Sequence, residues 1–152
     1  MNINIKQPQE KDVAEILTWK YDGEYSFYDN DKTEAKKESI INMLKEENRF
    51  VIYNDKDELI GNFSFHTDDG HLLLGVQMRP DYTGKGMGRE IVQTLLNFGR
   101  EKLKFNKIEL LVAKFNKRAI RVYDKLGFKI IDEFIWNVNE EEKEFLVMEK
   151  TY

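Results

Sequence analysis

Met78-Arg79-Pro80-Asp81-Tyr82-Thr83-Gly84-Lys85-Gly86-Met87-Gly88-Arg89 decides how this chain is read. Before it, residues 71–79 carry Leu72, Leu73, Leu74 and Val76 and predict a strand. After it, residues 89–104 place Ile91, Val92, Leu95, Leu96 and Phe98 at helical spacing. The glycines therefore join a strand to a helix. Glycine has no Cβ, so backbone amides there can approach an anion closely. The first amides of a helix point outward unpaired, at the positive end of its dipole. Together these features describe a pyrophosphate site. The spacing Gly84-x-Gly86-x-Gly88 is not the dinucleotide G-x-G-x-x-G, and it follows the fourth predicted strand rather than the first. No Lys-Ser/Thr pair closes it as in a P-loop.

Working outward from the loop, residues 2–6 predict a strand and residues 9–19 a helix on Val13, Ile16 and Leu17. Residues 21–30 have no clear period and read as a loop. Residues 33–46 predict a second helix, capped by Thr33, with Ile40, Ile41 and Leu44 as its apolar stripe. Residues 49–53 and 58–66 flank a turn at 54–57 and predict a hairpin, and Asp68-Asp69-Gly70 makes the next turn. Beyond the glycine loop, residues 107–113 form a strand and residues 116–126 a short helix that Gly127 ends in a left-handed cap. Strands at 128–138 and 144–150 close the chain around the acidic turn 139–142. The order β-α-α-β-β-β-α-β-α-β-β predicts a mixed sheet with helices on both faces.

The 152 residues suit one domain, 1–152, and 41% hydrophobic residues suit a globular one. A formal net charge of -4 argues against a nucleic-acid partner. It is compatible with a cationic one. The absence of cysteine excludes disulfides, thiolate zinc and a cysteine acyl-enzyme. His66 and His71 are too few for an all-histidine metal site, and no ligand spacing suggests a metal. No apolar run suggests a signal peptide or a membrane span, so the expected location is the cytoplasm. A monomer or homodimer is expected.

A second pattern follows the glycine loop. Asn116, Ala119, Tyr123, Gly127 and Phe128 fit Asn-x-x-Ala-x-x-x-Tyr-x-x-x-Gly-Phe, directly after a strand. With Thr83-x-x-Gly86-x-Gly88 before it, the chain resembles the GNAT acetyltransferase superfamily. That family carries Arg or Gln where Thr83 stands, so a cofactor contact from this side chain is left open, while the backbone role is unaffected. The resemblance extends by motif over residues 76–128 and by element order over nearly the whole chain. It implies an α/β (α+β) fold with a GNAT-like mixed, mostly antiparallel central sheet and helices on both faces.

The resemblance also implies a chemistry. Acetyl-CoA would be the cosubstrate, its pyrophosphate held by Gly84, Lys85, Gly86, Met87, Gly88 and Arg89, with Lys85 or Arg89 supplying charge. Its pantetheine would lie between two splayed strands against the backbone of Val76, Gln77 and Met78, with Asn116 also touching it and small Ala119 letting it pass. Tyr123 would protonate the leaving thiolate. Without cysteine, direct transfer in a ternary complex is expected. For Asn116 an N-cap role stands beside the ligand role. The base stays open among Glu109, His66, His71 and a water-mediated route, with Glu109 also readable as a solvent-facing strand residue.

The acceptor, a small-molecule or peptide amine, would meet Trp19, Tyr21, Tyr25, Phe27 and Tyr28, which stand among Asp22, Glu24, Asp29 and Asp31. Aromatic faces and carboxylates suit a cationic amine. The alternative for the aromatics is packing beneath a long loop. Alternatives for the whole chain are a non-catalytic acyl-CoA-binding or sensing module on the same fold, and a phosphate-binding nucleotide protein.

Overall fold

Strands β1 (Ile3–Lys6), β2 (Arg49–Asn54), β3 (Leu59–Asp68), β4 (His71–Met78), β5 (Lys107–Ala113), β6 (Lys129–Val138) and β7 (Glu141–Thr151) share one sheet in the order β1-β2-β3-β4-β5-β7-β6. Four helices cover it: α1 (Glu10–Ile16), α2 (Glu34–Ile41), α3 (Gly88–Leu103) and α4 (Lys117–Lys125). The structure is a computed structural model and describes residues 2–138 and 140–152. All strand pairs are antiparallel except β4 with β5, which are parallel because α3 makes the crossover between them.

Alternation along the strands sorts two faces. Ile108, Leu110 and Val112 of β5 join Ile91, Val92, Leu95 and Leu96 of α3 in the main core. Gly99 lets α3 settle on the sheet, since a Cβ there would lie 2.2 Å from the Phe65 ring. The opposite face holds a second cluster under α1 and α2, made by Val13, Ile16, Trp19, Ile40, Met43, Val51, Tyr53 and Leu59. A third, smaller cluster gathers Phe27, Ala113 and Phe145 beside it.

Several boundaries differ from the sequence reading. The first helix ends at Ile16, and Trp19 packs in the core three residues beyond it. Residues 21–30 are not an irregular loop: Gly23–Tyr28 forms a 3-10 helix. Thr33 does cap α2, accepting from the Lys36 amide at 3.1 Å, but the last turn tightens to 3-10 at Asn42–Leu44. That change of pitch rotates Met43 inward and leaves Ile41 and Leu44 exposed. The closing hairpin is longer than expected, with Glu141 and Glu142 already in β7. Asn139, in the expected acidic turn, lies outside the described residues.

Candidate active site

The parallel pair β4/β5 registers at Leu73↔Glu109, and past that point the two strands carry no further ladder. We take the unpaired edges beyond it, toward Met78 and Ala113, as a wedge. The Arg79 amide bonds the Ile60 carbonyl at 2.8 Å, on the β3 side. Backbone groups alternate sides along a strand. Those of Val76 and Met78 therefore face the wedge, whereas those of Gln77 face β3. Gln77 consequently offers its side chain instead of its backbone. Its Oε1 accepts from Asn30 Nδ2 at 3.0 Å and Asn62 Nδ2 at 3.2 Å, and its Nε2 donates to the Tyr28 carbonyl at 3.2 Å. Asn30 is fully buried and also donates to the Ile16 carbonyl at 3.0 Å. This network ties the end of α1 and the Gly23–Tyr28 turn to the strand that borders the wedge.

At the wedge mouth the chain turns through Pro80–Tyr82 into the glycine loop. Gly84 and Gly86 have φ of 69° and 76°, values that a side chain disfavours. A Cβ on Gly86 would meet no protein atom within 4 Å, so its outer side is open. Helix α3 begins at Gly88 with Met87 as N-cap, and Met87 makes no side-chain bond to its first amides. Gly88 is needed for packing as well, since its Cβ would lie 3.3 Å from Val122 of α4. Lys85 and Arg89 are exposed at the loop. The Thr83 hydroxyl donates to the Pro80 carbonyl at 2.7 Å and so closes its own turn. These open amides, the helix start and the free edge of β4 fit a diphosphate joined to an amide-bearing arm.

Helix α4 supplies the second half. Asn116 caps it by accepting from the Ala119 amide at 3.2 Å, and its Nδ2 donates to the Tyr28 hydroxyl at 3.2 Å. Ala119 and Tyr123 follow on the same helical face. Tyr123 is half-buried, with its ring edge-on to Phe128 at 5.8 Å. Burial pushes its hydroxyl pKa above the usual tyrosine value, and the nearby Tyr28 hydroxyl adds to the effect. Burial likewise raises Tyr28, while its bond from Asn116 works against the rise. Both hydroxyls are thus held in the protonated form.

The residues expected to meet the acceptor divide. Trp19 is buried at 4% exposure and belongs to the α1/α2 core, which corrects its placement at a ligand surface. Phe27 is likewise core. Tyr21, Tyr25 and Tyr28 remain half-buried, Tyr25 and Tyr28 against Phe115 and Tyr21 edge-on to Tyr28. The Tyr21 hydroxyl donates to the Met78 carbonyl at 2.5 Å, at the wedge itself. Of the four carboxylates, Asp29 accepts from the Tyr21 amide at 2.8 Å. Asp31 pairs with Lys20, which holds its pKa below the ordinary range. Glu24 instead borders a cleft of about 340 Å³ with Lys114, Phe115, Lys117, Glu142, Lys143 and Glu144.

Glu109 is not solvent-facing. It is 7% exposed, with Oε2 2.5 Å from His71 Nδ1, at the closed end of the wedge. His66 is exposed near the far end of β3, on the residue that pairs with Leu73. Neither histidine lies at the open end beside Met78 and Ala113. Sequence reasoning assigned Gln77 to the pantetheine by its backbone, which faces β3 instead, and missed its partners Asn30 and Asn62, Phe115, and Arg118, whose guanidinium lies 4.0 Å from the Tyr25 ring centre. Phe115 alone had a local signal, as an aromatic directly before the Asn116 motif.

Comparisons with known proteins agree with this geometry. An uncharacterized N-acetyltransferase, p20, of Bacillus licheniformis is 34% identical over 86 residues, 54% of this chain and 48% of that protein. The spermidine N(1)-acetyltransferase of Escherichia coli K12 is 29% identical over 91 residues, 59% of this chain and 49% of that protein. The matched segment thus spans about half the length of these curated relatives. A GNAT-family acetyltransferase structure from Bacillus anthracis superposes with TM-score 0.80 at 19% identity, covering 99% of this chain and 95% of that one. Spermidine N-acetyltransferase from Vibrio cholerae, in complex with CoA and spermine, gives 0.76 at 19% identity, covering 98% and 95%. At such identity the superpositions establish the fold. The family model of the acetyltransferase (GNAT) domain matches residues 2–129, most of the chain, and this protein belongs to the GNAT acetyltransferase family.

Proposed function

We propose that the protein transfers the acetyl group of acetyl-CoA to a primary amine of a polyamine-like cation, by direct attack in a ternary complex. The observation that carries this reading is the open wedge between β4 and β5, with the glycine loop at its mouth and the protonated Tyr123 on the adjoining face of α4. The amides of the loop and of the α3 start would hold the diphosphate. The backbone of Val76 and Met78 would pair with the pantetheine arm, and an N–H from this edge would stabilise charge on the thioester oxygen.

An aliphatic ammonium titrates near about 10.4, so the amine must lose a proton before it attacks. With Glu109 held by His71 at the closed end, water is the route favoured for that proton. The amine nitrogen then bonds the acetyl carbon and the carbon–sulfur bond breaks. Tyr123 gives its proton to sulfur, the new amide nitrogen gives up its second proton to water, and Tyr123 recovers one from solvent.

Two features support a cationic acceptor. The half-buried rings of Tyr21 and Tyr28 are aromatic groups beside the open edge of β4, whereas the neighbouring cleft sets Glu24, Glu142 and Glu144 against Lys114, Lys117 and Lys143 and favours neither charge. Sequence similarity to spermidine acetyltransferases points the same way. A thiol-release assay with spermidine, spermine, a peptide N-terminus and an amino acid tests the reading. Spermidine or spermine should give the highest kcat/KM. A best acceptor that is acidic or uncharged at assay pH overturns it.

A further inference from the structure

The glycine loop has no long side chain of its own aimed at an anion from position 83. Thr83 is short, and its hydroxyl is bonded to the Pro80 carbonyl. A cation nevertheless stands against the loop, and it comes from another element. Arg118, in the first turn of α4, reaches back to Gly84: a Cβ built on Gly84 would lie 2.8 Å from Arg118 Nη1 and 3.6 Å from its Cδ. The same guanidinium stands over the Tyr25 ring, 4.0 Å from its centre. The side chain is half-buried, which limits its rotamers and orients its fork. Gly84 has φ of 69°, so the absence of a side chain there serves both the backbone conformation and the approach of the arginine.

We propose that Arg118 supplies the side-chain cation for the cofactor's diphosphate that position 83 lacks, with Tyr25 holding the guanidinium in place. Arginine suits this role because its planar fork can bond two phosphate oxygens at once. The arrangement also joins the two halves of the site, since Tyr25 belongs to the acceptor-side turn Gly23–Tyr28 and Gly84 to the cofactor loop. This inference rests on the reading that the loop holds the diphosphate.

The test is calorimetric titration of Arg118→Gln and Arg118→Lys with CoA and with dephospho-CoA, which lacks the 3′-phosphate, at several salt concentrations. Arg118→Gln should weaken both ligands equally, by about 10- to 100-fold, the range for losing a charged hydrogen bond. Its affinity should also fall less steeply with salt than the parent's. Arg118→Lys should recover part of the loss. Unchanged affinity for both ligands overturns the proposal. So does a loss confined to CoA, which would assign the arginine to the 3′-phosphate, and so does an unaltered salt dependence, which would mark a packing role. Gly86→Val separates this failure from that of the loop. If Gly86→Val binds normally the loop reading falls, whereas normal binding by Arg118→Gln alone removes only the arginine.

Discussion

The proposed cofactor loop and the proposed acceptor-side turn lie next to each other and are built in opposite ways. The loop from Thr83 to Gly88 presents backbone, with two glycines at positive φ, exposed sides and a helix start. The turn Gly23–Tyr28 and the residues after it are held by side chains. Asn30 and Asn62 both donate to Gln77 beneath it, Asp29 takes the Tyr21 amide, and the Tyr28 hydroxyl accepts from Asn116. A site made of backbone recognises a group common to every acetyl-CoA-using relative. A site made of side chains is free to change its acceptor without disturbing the cofactor. The difference predicts that variants on the two sides separate into cofactor and acceptor effects, with Tyr123 affecting the chemistry between them.

The largest effect is expected at Tyr123. Tyr123→Phe should lower kcat by about 100- to 10,000-fold, the range for a lost general acid, with little change in the acetyl-CoA KM. Because burial raises its pKa, the acid form persists as pH climbs. The parent's turnover should therefore not decline as pH passes about 10, the ordinary tyrosine value. Unchanged turnover in Tyr123→Phe, with chemistry rate-limiting, would return this residue to the core.

Gly86→Val should come next, weakening CoA about tenfold or more through a side chain at positive φ where amides must face the anion. A Cβ there touches no protein atom but is strained at this φ, so the fold should survive with about 1–2 kcal/mol less stability, as thermal unfolding would check. Gln77→Leu should act on the other side. It leaves the buried Asn30 and Asn62 donors without their acceptor, a cost of about 1–3 kcal/mol in stability. The acceptor KM should rise several-fold while CoA binding by calorimetry stays close to the parent's. Equal loss for both substrates would dissolve the division between the regions.

The smallest effect concerns charge. Glu24→Gln should raise the acceptor KM about two- to five-fold at low salt, as for an exposed ion pair, and less at physiological salt. Asp31→Asn should leave it unchanged, because that carboxylate is engaged by Lys20. A reversed order of these two would show that the cationic acceptor sits on the α1 side of the turn instead of the cleft.

What the sequence determined by itself was the part whose causes are local. Glycine spacing between a strand and a helix marked the candidate anion loop, Asn116 marked the start of α4, and apolar runs between turn residues marked the strands. Each depends on neighbours within a few residues, so a linear reading reaches it. Trp19 and Glu109 were decided only by tertiary structure. Trp19 follows a helix that stops early, and the sheet face it meets draws it into the core. Glu109 is buried because β4 brings His71 alongside it, 38 positions away in the chain. The same holds for Gln77, whose three partners come from residues 28, 30 and 62. Arg118 likewise meets the loop only because α4 packs beside α3, with Gly88 against Val122. Burial and long-range pairing are properties of packed surfaces, and no spacing along the chain encodes which surfaces meet.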